Sequence, residues 1–104
     1  MKRVAFKMYL KEGQKEEYIR RHNKIWPAVV DLLKKAGICD YSIFLDEETH
    51  VLYAVQILTS DAGSQSLGHH ELIQKWWDHM SDIMEVNADN SPVSEELEEV
   101  FYLK

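Results

Sequence analysis

The sequence predicts an α+β fold, an antiparallel sheet that carries its helices on one face. Three observations point there. Period-two and period-3.6 apolar patterns follow one another in the order strand, helix, strand, strand, helix, strand. The joints between them are short, polar and marked by glycine, proline or asparagine. The length, 104 residues, makes residues 1–104 a single domain with one core, burying roughly 60–68% of the unfolded surface.

The first strand is Arg3 to Leu10. Val4, Phe6, Met8 and Leu10 fall on one side and Arg3, Ala5, Lys7 and Tyr9 on the other, the pattern of a half-buried strand. Glu12-Gly13 turns the chain. From about Gln14 to Ala36 the apolar residues Tyr18, Ile25/Trp26, Val29/Val30 and Leu33 recur at helical spacing. Pro27 interrupts that helix by removing a donor and disfavouring the α conformation at Trp26, so a kink or restart is expected there. Gly37 suits the left-handed position that ends a helix.

Strands then run over about Asp40–Leu45 and Val51–Leu58, joined by the polar hairpin Asp46-Glu47-Glu48-Thr49. Tyr41, Ile43 and Leu45 share one face of the first of these, with Phe44 on the other. Thr59–Gly68 reads as a loop or loose helical turn. A second helix covers about His70–Met84, striped by Ile73, Trp76/Trp77, Met80 and Ile83/Met84. The turn formers Asn87-Ala88-Asp89-Asn90-Ser91-Pro92 follow, and Glu99–Leu103 forms a short last strand. This order is the ferredoxin-like βαββαβ. Apolar residues on both sides of several strands leave the second sheet face needing cover, and a homodimer is the expectation.

Composition narrows the function. Twelve Lys+Arg against eighteen Asp+Glu give a net charge of −6 with no dense basic run, which argues against nucleic acid as a partner. One cysteine, Cys39, makes no internal disulfide and fits a reducing compartment. Met1-Lys2-Arg3 leads into an alternating strand, not a signal peptide. No stretch approaches the ~20 apolar residues of a membrane span. The cytoplasm is the expected location, without a membrane partner.

The chemistry-bearing residues are few. Tyr18, His22 and Trp26 stand at i, i+4, i+8, so a helix lines up a phenol, an imidazole and an indole. Packing alone could use such a row. Trp76 and Trp77 point about 100° apart on a helix, so one can pack inward while the other offers a flat apolar platform with a polar N–H at its edge. The five histidines follow no ligand spacing such as HExxH, and no metal is expected. The four glycines are scattered, so no phosphate loop is present, and no nucleophile signature appears. No cofactor is implied. The acidic run Glu95-Glu96, Glu98-Glu99 reads as a solvated face.

What remains is a cofactor-free pocket with His22 as its group titrating near neutral pH. One positioned acid–base group contributes about 10²–10⁴-fold. That suffices for easy chemistry, such as tautomerisation or opening a hemiacetal, and falls far short for a phosphate ester or an amide.

Tyr18-Ile19-Arg20-Arg21-His22-Asn23-Lys24-Ile25-Trp26-Pro27, Tyr41, Lys75-Trp76-Trp77 and the run from Asn87 through Asp89-Asn90-Ser91-Pro92-Val93-Ser94 to Leu103 together resemble the L-rhamnose mutarotase family over nearly the whole chain. The resemblance implies a dimeric α/β barrel of ferredoxin-like subunits that interconverts the α and β anomers of L-rhamnose, in rhamnose metabolism, without cofactor. It marks His22 as the proton donor and Tyr18, Tyr41, Trp76 and Trp77 as sugar-binding residues, and the chemistry of ring opening makes the ring oxygen the expected acceptor of the His22 proton. The complementary base stays open between Tyr18, an aspartate such as Asp89, and water. Glu85-Val86 and Ala88 stand where the family pattern is richer in proline. Two other classes compete: a cofactor-free dimeric α/β-barrel oxygenase or cyclase, and a non-catalytic small-ligand-binding dimer.

Overall fold

The computed structural model describes residues 1–60 and 63–104. The chain runs β1 (Lys2–Tyr9), α1 (Lys15–Asn23), α2 (Pro27–Lys35), β2 (Ile38–Asp46), β3 (Val51–Leu58), a short 3-10 helix (Ser64–Leu67), α3 (Glu71–Met80) and β4 (Glu95–Leu97). The sheet order is β2-β3-β1-β4 with every neighbouring pair antiparallel, the ferredoxin-like arrangement.

Alternation decides which sheet face is covered. Phe6, Met8 and Leu10 from the first strand region and Leu52, Ala54 and Leu58 from β3 are buried together with Tyr18, Val29, Ile73, Trp76 and Trp77 of the helices. Phe6 stands opposite Ala54 and Met8 opposite Leu52, so the inward residues of the two central strands form matched rows. The other face keeps Phe44 and Tyr53 exposed.

The expected break at Pro27 is a full restart. Trp26 is extended (φ −63°, ψ 127°), Pro27 opens α2 at its first turn, and Lys24 and Ile25 close α1 by donating to Arg21 and His22 carbonyls. Gly37 ends the α2 segment at φ 89°, where an added Cβ would stand 2.5 Å from Thr59 Oγ1.

Two expectations fail. The second helix stops at Met80, not Met84: Ser81 Oγ donates to the Asp78 carbonyl at 2.7 Å and Ile83 N turns back to Met80. Ile83 and Met84 stay buried all the same, which is why their spacing read as helix. The last strand is Glu95–Leu97, not Glu99–Leu103. Pairing along Ala5–Lys7 is anchored where Tyr9 Oη donates to Glu95 Oε1 at 2.8 Å and Lys7 Nζ reaches Glu95 at 3.6 Å. The apolar run beyond it, Val100–Leu103, is exposed.

Candidate active site

The first turns of α1 carry Glu16 and Glu17 and its last turn Arg20, Arg21 and His22, each sign at the end of the helix dipole that favours it. Helical spacing places Tyr18 and His22 one above the other. Their rings stack with centroids 4.3 Å apart and planes 29° from parallel. His22 Nδ1 lies 3.2 Å from the Tyr18 carbonyl oxygen. A carbonyl only accepts, so Nδ1 carries the proton and Nε2 keeps its lone pair. Burial lowers the His22 pKa, the carbonyl hydrogen bond opposing it. The resting imidazole is therefore neutral, and to donate a proton it must first take one.

Arg21 fixes this helix against the end of α3. Its guanidinium donates to Asp82 Oδ1 and to the His79 carbonyl, each at 2.7 Å, and to Glu17 Oε2 at 2.7 Å. The hydrogen bonds from Arg20 and Arg21 hold the Glu17 carboxyl down to about 2.

From α3, Trp76 meets His22 edge-on, centroids 5.6 Å apart at 86°. Trp26 packs against the far side of Trp76, 5.1 Å away at 79°, and is a packing residue of the helix restart. Trp77 is buried beside Gly68, where an added Cβ would stand 2.6 Å from Trp77 Cζ3. The glycine is what makes room for the indole.

Tyr41 arrives from β2 through a bulge. Between Cys39 and Ser42 the register with β3 slips, so Asp40 and Tyr41 together oppose one residue, Gln56. Asp40 takes up the distortion at φ 47°. Tyr41 is half-buried, and burial raises its hydroxyl pKa against the pull of Ser64 and Gln56. Burial likewise raises that of Tyr18, with Tyr41 adding to it. Both phenols stay protonated and are donors.

These side chains wall one cavity of about 740 Å³ between helices and sheet, completed by apolar residues such as Ile25, Leu33, Ile43 and Met80. Its size falls in the range of small-molecule sites, roughly 300–1,000 Å³. Asn23, Ser64 and Gln65 add polar atoms to the lining. One titratable nitrogen beside phenolic donors and indole faces can move a proton on a small hydroxylated molecule.

A model of the L-rhamnose mutarotase family matches residues 3–103. An L-rhamnose mutarotase of Bacteroides thetaiotaomicron is 58% identical over 103 residues, covering 99% of both chains. The chain belongs to the L-rhamnose mutarotase family. A second member, from Formosa agariphila, is 55% identical over 104 residues and 100% of both chains. The crystal structure of an L-rhamnose mutarotase from Formosa agariphila superposes with a TM-score of 0.93 at 52% identity, covering 100% of each chain. A Shewanella oneidensis protein at 18% identity and TM-score 0.56, covering 91% of this chain and 86% of its own, shares the fold alone.

All five residues that the sequence marked, Tyr18, His22, Tyr41, Trp76 and Trp77, line the same cavity in this member of the mutarotase family. Both tryptophans face it, not one. Asp89, weighed as the complementary base, does not line it. Its carboxylate accepts from Ser91 N at 3.0 Å and Ser91 Oγ at 2.5 Å, which lower its pKa. The sequence reading passed over Gln56 and Ser64. A signal existed: Gln56 stands in the inward phase of Leu52, Ala54 and Leu58, where a polar residue has no packing reason to be.

Proposed function

We propose that this chain interconverts the α and β anomers of L-rhamnose at the cavity between α1, α3 and β2, as a cytoplasmic homodimer. The observation that carries the reading is His22, neutral, tautomerically set by the Tyr18 carbonyl, and half-buried between Tyr18 and Trp76 in that cavity.

In the forward half-reaction Nε2 of His22 takes the proton of the anomeric hydroxyl. The C1–O5 bond breaks as the C1=O1 carbonyl forms, and the imidazolium returns its proton to O5. Both oxygens are bonded to C1, so one nitrogen can serve them in turn. The open-chain aldehyde rotates about C1–C2 and closes on its other face by the reverse steps, and no proton is gained or lost over the cycle. Tyr18 and Tyr41, kept protonated by burial, donate to sugar oxygens and hold the sugar in place. Trp76 and Trp77 take the C–H face and the methyl group of the sugar.

Exchange NMR tests the reading directly. Saturating the anomeric proton of one anomer of L-rhamnose should transfer saturation to the other faster when catalytic amounts of protein are present. Transfer at the buffer rate would overturn it. In His22→Ala the acceleration should fall by about 10²–10⁴-fold while sugar still binds and protects the fold in a thermal melt.

A further inference from the structure

Gln56 is 0% exposed, in the middle of β3, and is the most enclosed polar side chain among the described residues. A buried amide is costly unless its groups are paired, and here both ends are paired with one residue. Ser64 N donates to Gln56 Oε1 at 3.3 Å. A backbone N–H can only donate, so that contact fixes which end of the amide is oxygen, and Nε2 is left to donate to Ser64 Oγ. Ser64 thus accepts from Gln56 and has one hydroxyl proton to give. The β2 bulge turns Tyr41 toward the same spot, because Asp40 and Tyr41 are the residues that oppose Gln56. Ser64 and Tyr41 line the cavity together.

We propose that Gln56 and Ser64 are positioning residues, a buried donor chain that ends on the Tyr41 hydroxyl and sets it to give its proton to the sugar. The sequence of donors is Gln56 Nε2–H to Ser64 Oγ, Ser64 O–H to Tyr41 Oη, and Tyr41 O–H to a sugar oxygen. Each link has its acceptor satisfied from behind, so Tyr41 has no free choice of role. Ser64 and Gln56 both pull the pKa of the Tyr41 hydroxyl down against its burial. The inference rests on the reading of Tyr41 as a sugar contact.

The test is a mutant cycle read by exchange kinetics on L-rhamnose. Ser64→Ala and Gln56→Leu should each raise KM by about five- to tenfold with kcat within about twofold, the pattern of a contact made equally in ground and transition states. Ser64→Thr, which keeps the hydroxyl, should restore the wild-type KM. In a Tyr41→Phe background Gln56→Leu should add nothing. Additive effects of Gln56→Leu and Tyr41→Phe would overturn the donor chain while leaving Tyr41 as a sugar contact. An unchanged KM in Tyr41→Phe alone would overturn the sugar contact and the chain with it. Ser64→Ala, a small change with the Gln56 amide still bonded to Ser64 N, keeps the test readable if Gln56→Leu does not fold.

Discussion

Burial of His22 between a phenol and an indole has a measurable consequence in pH. Its folded pKa lies below the ordinary 6.5 because the charged ring is poorly solvated. A neutral ring is the competent form for the first proton transfer. kcat/KM for mutarotation should therefore be flat from neutral pH down to about 6.5 and fall on the acid side with a midpoint below that value; a profile that falls instead on the alkaline side would mean that the imidazolium is the working form. Stability follows the same sign. The unfolded chain binds the proton first as pH drops, so this residue's contribution is intact above about 6.5 and declines below it. At this scale the sequence was informative about chemistry and silent about environment. The i, i+4 spacing of Tyr18 and His22 was enough to stack them, whereas the Nδ1 contact that selects the tautomer is a matter of ångströms.

Elements carry the site through two special joints. At the α1–α2 restart, Pro27 allows Trp26 to leave the helix and back onto Trp76, and proline is visible in any sequence. The joint before α3 is less visible: Gly68 looks like loop glycine until the indole of Trp77 is seen against it. Gly68→Ala should force Trp77 aside, costing about 1–3 kcal/mol as overpacking does. A thermal melt should show a lower Tm, and KM for L-rhamnose should rise because Trp77 lines the cavity. A variant with wild-type melting and wild-type KM would mean that the indole holds no fixed place. The same limit explains the β2 bulge. Alternation put Tyr41 on one face with Ile43 and Leu45, opposite Phe44, yet nothing in the residues Cys39-Asp40-Tyr41-Ser42 announces the extra residue that sets it against Gln56. The misplaced last strand has a different cause. Val100-Phe101-Tyr102-Leu103 has the composition of a strand, but the anchoring contacts to Tyr9 and Lys7 belong to Glu95, which had read only as solvated charge.

The whole molecule leaves a run of apolar side chains in water. Val100 is 87% exposed, Phe101 78% and Leu103 80%, while Phe44 and Tyr53 stand open on the sheet face away from the helices. Fully burying each Val, Leu or Phe side chain is worth about 1.5–3 kcal/mol, and among the described residues the tail touches back at Tyr102, whose ring lies 4.6 Å from Arg3 Cζ. Among the described residues no inward face remains to receive it, since the helices fill the covered side of the sheet. A second copy would offer both the sheet face and a second tail, and two-fold pairing would bury each patch against its equivalent. A stable pair needs roughly 1,200 Å² or more of buried surface, which the sheet face and tail must supply together. Sedimentation equilibrium at micromolar concentration should give twice the 12.2 kDa of one chain. Phe101→Asp, which places a charge in the tail, should shift the mass toward the monomer without unfolding it, because Phe101 makes no part of the core. A monomer mass for the unaltered chain would refute the pairing. A dimer indifferent to Phe101→Asp would move the interface off the tail and onto the sheet face alone.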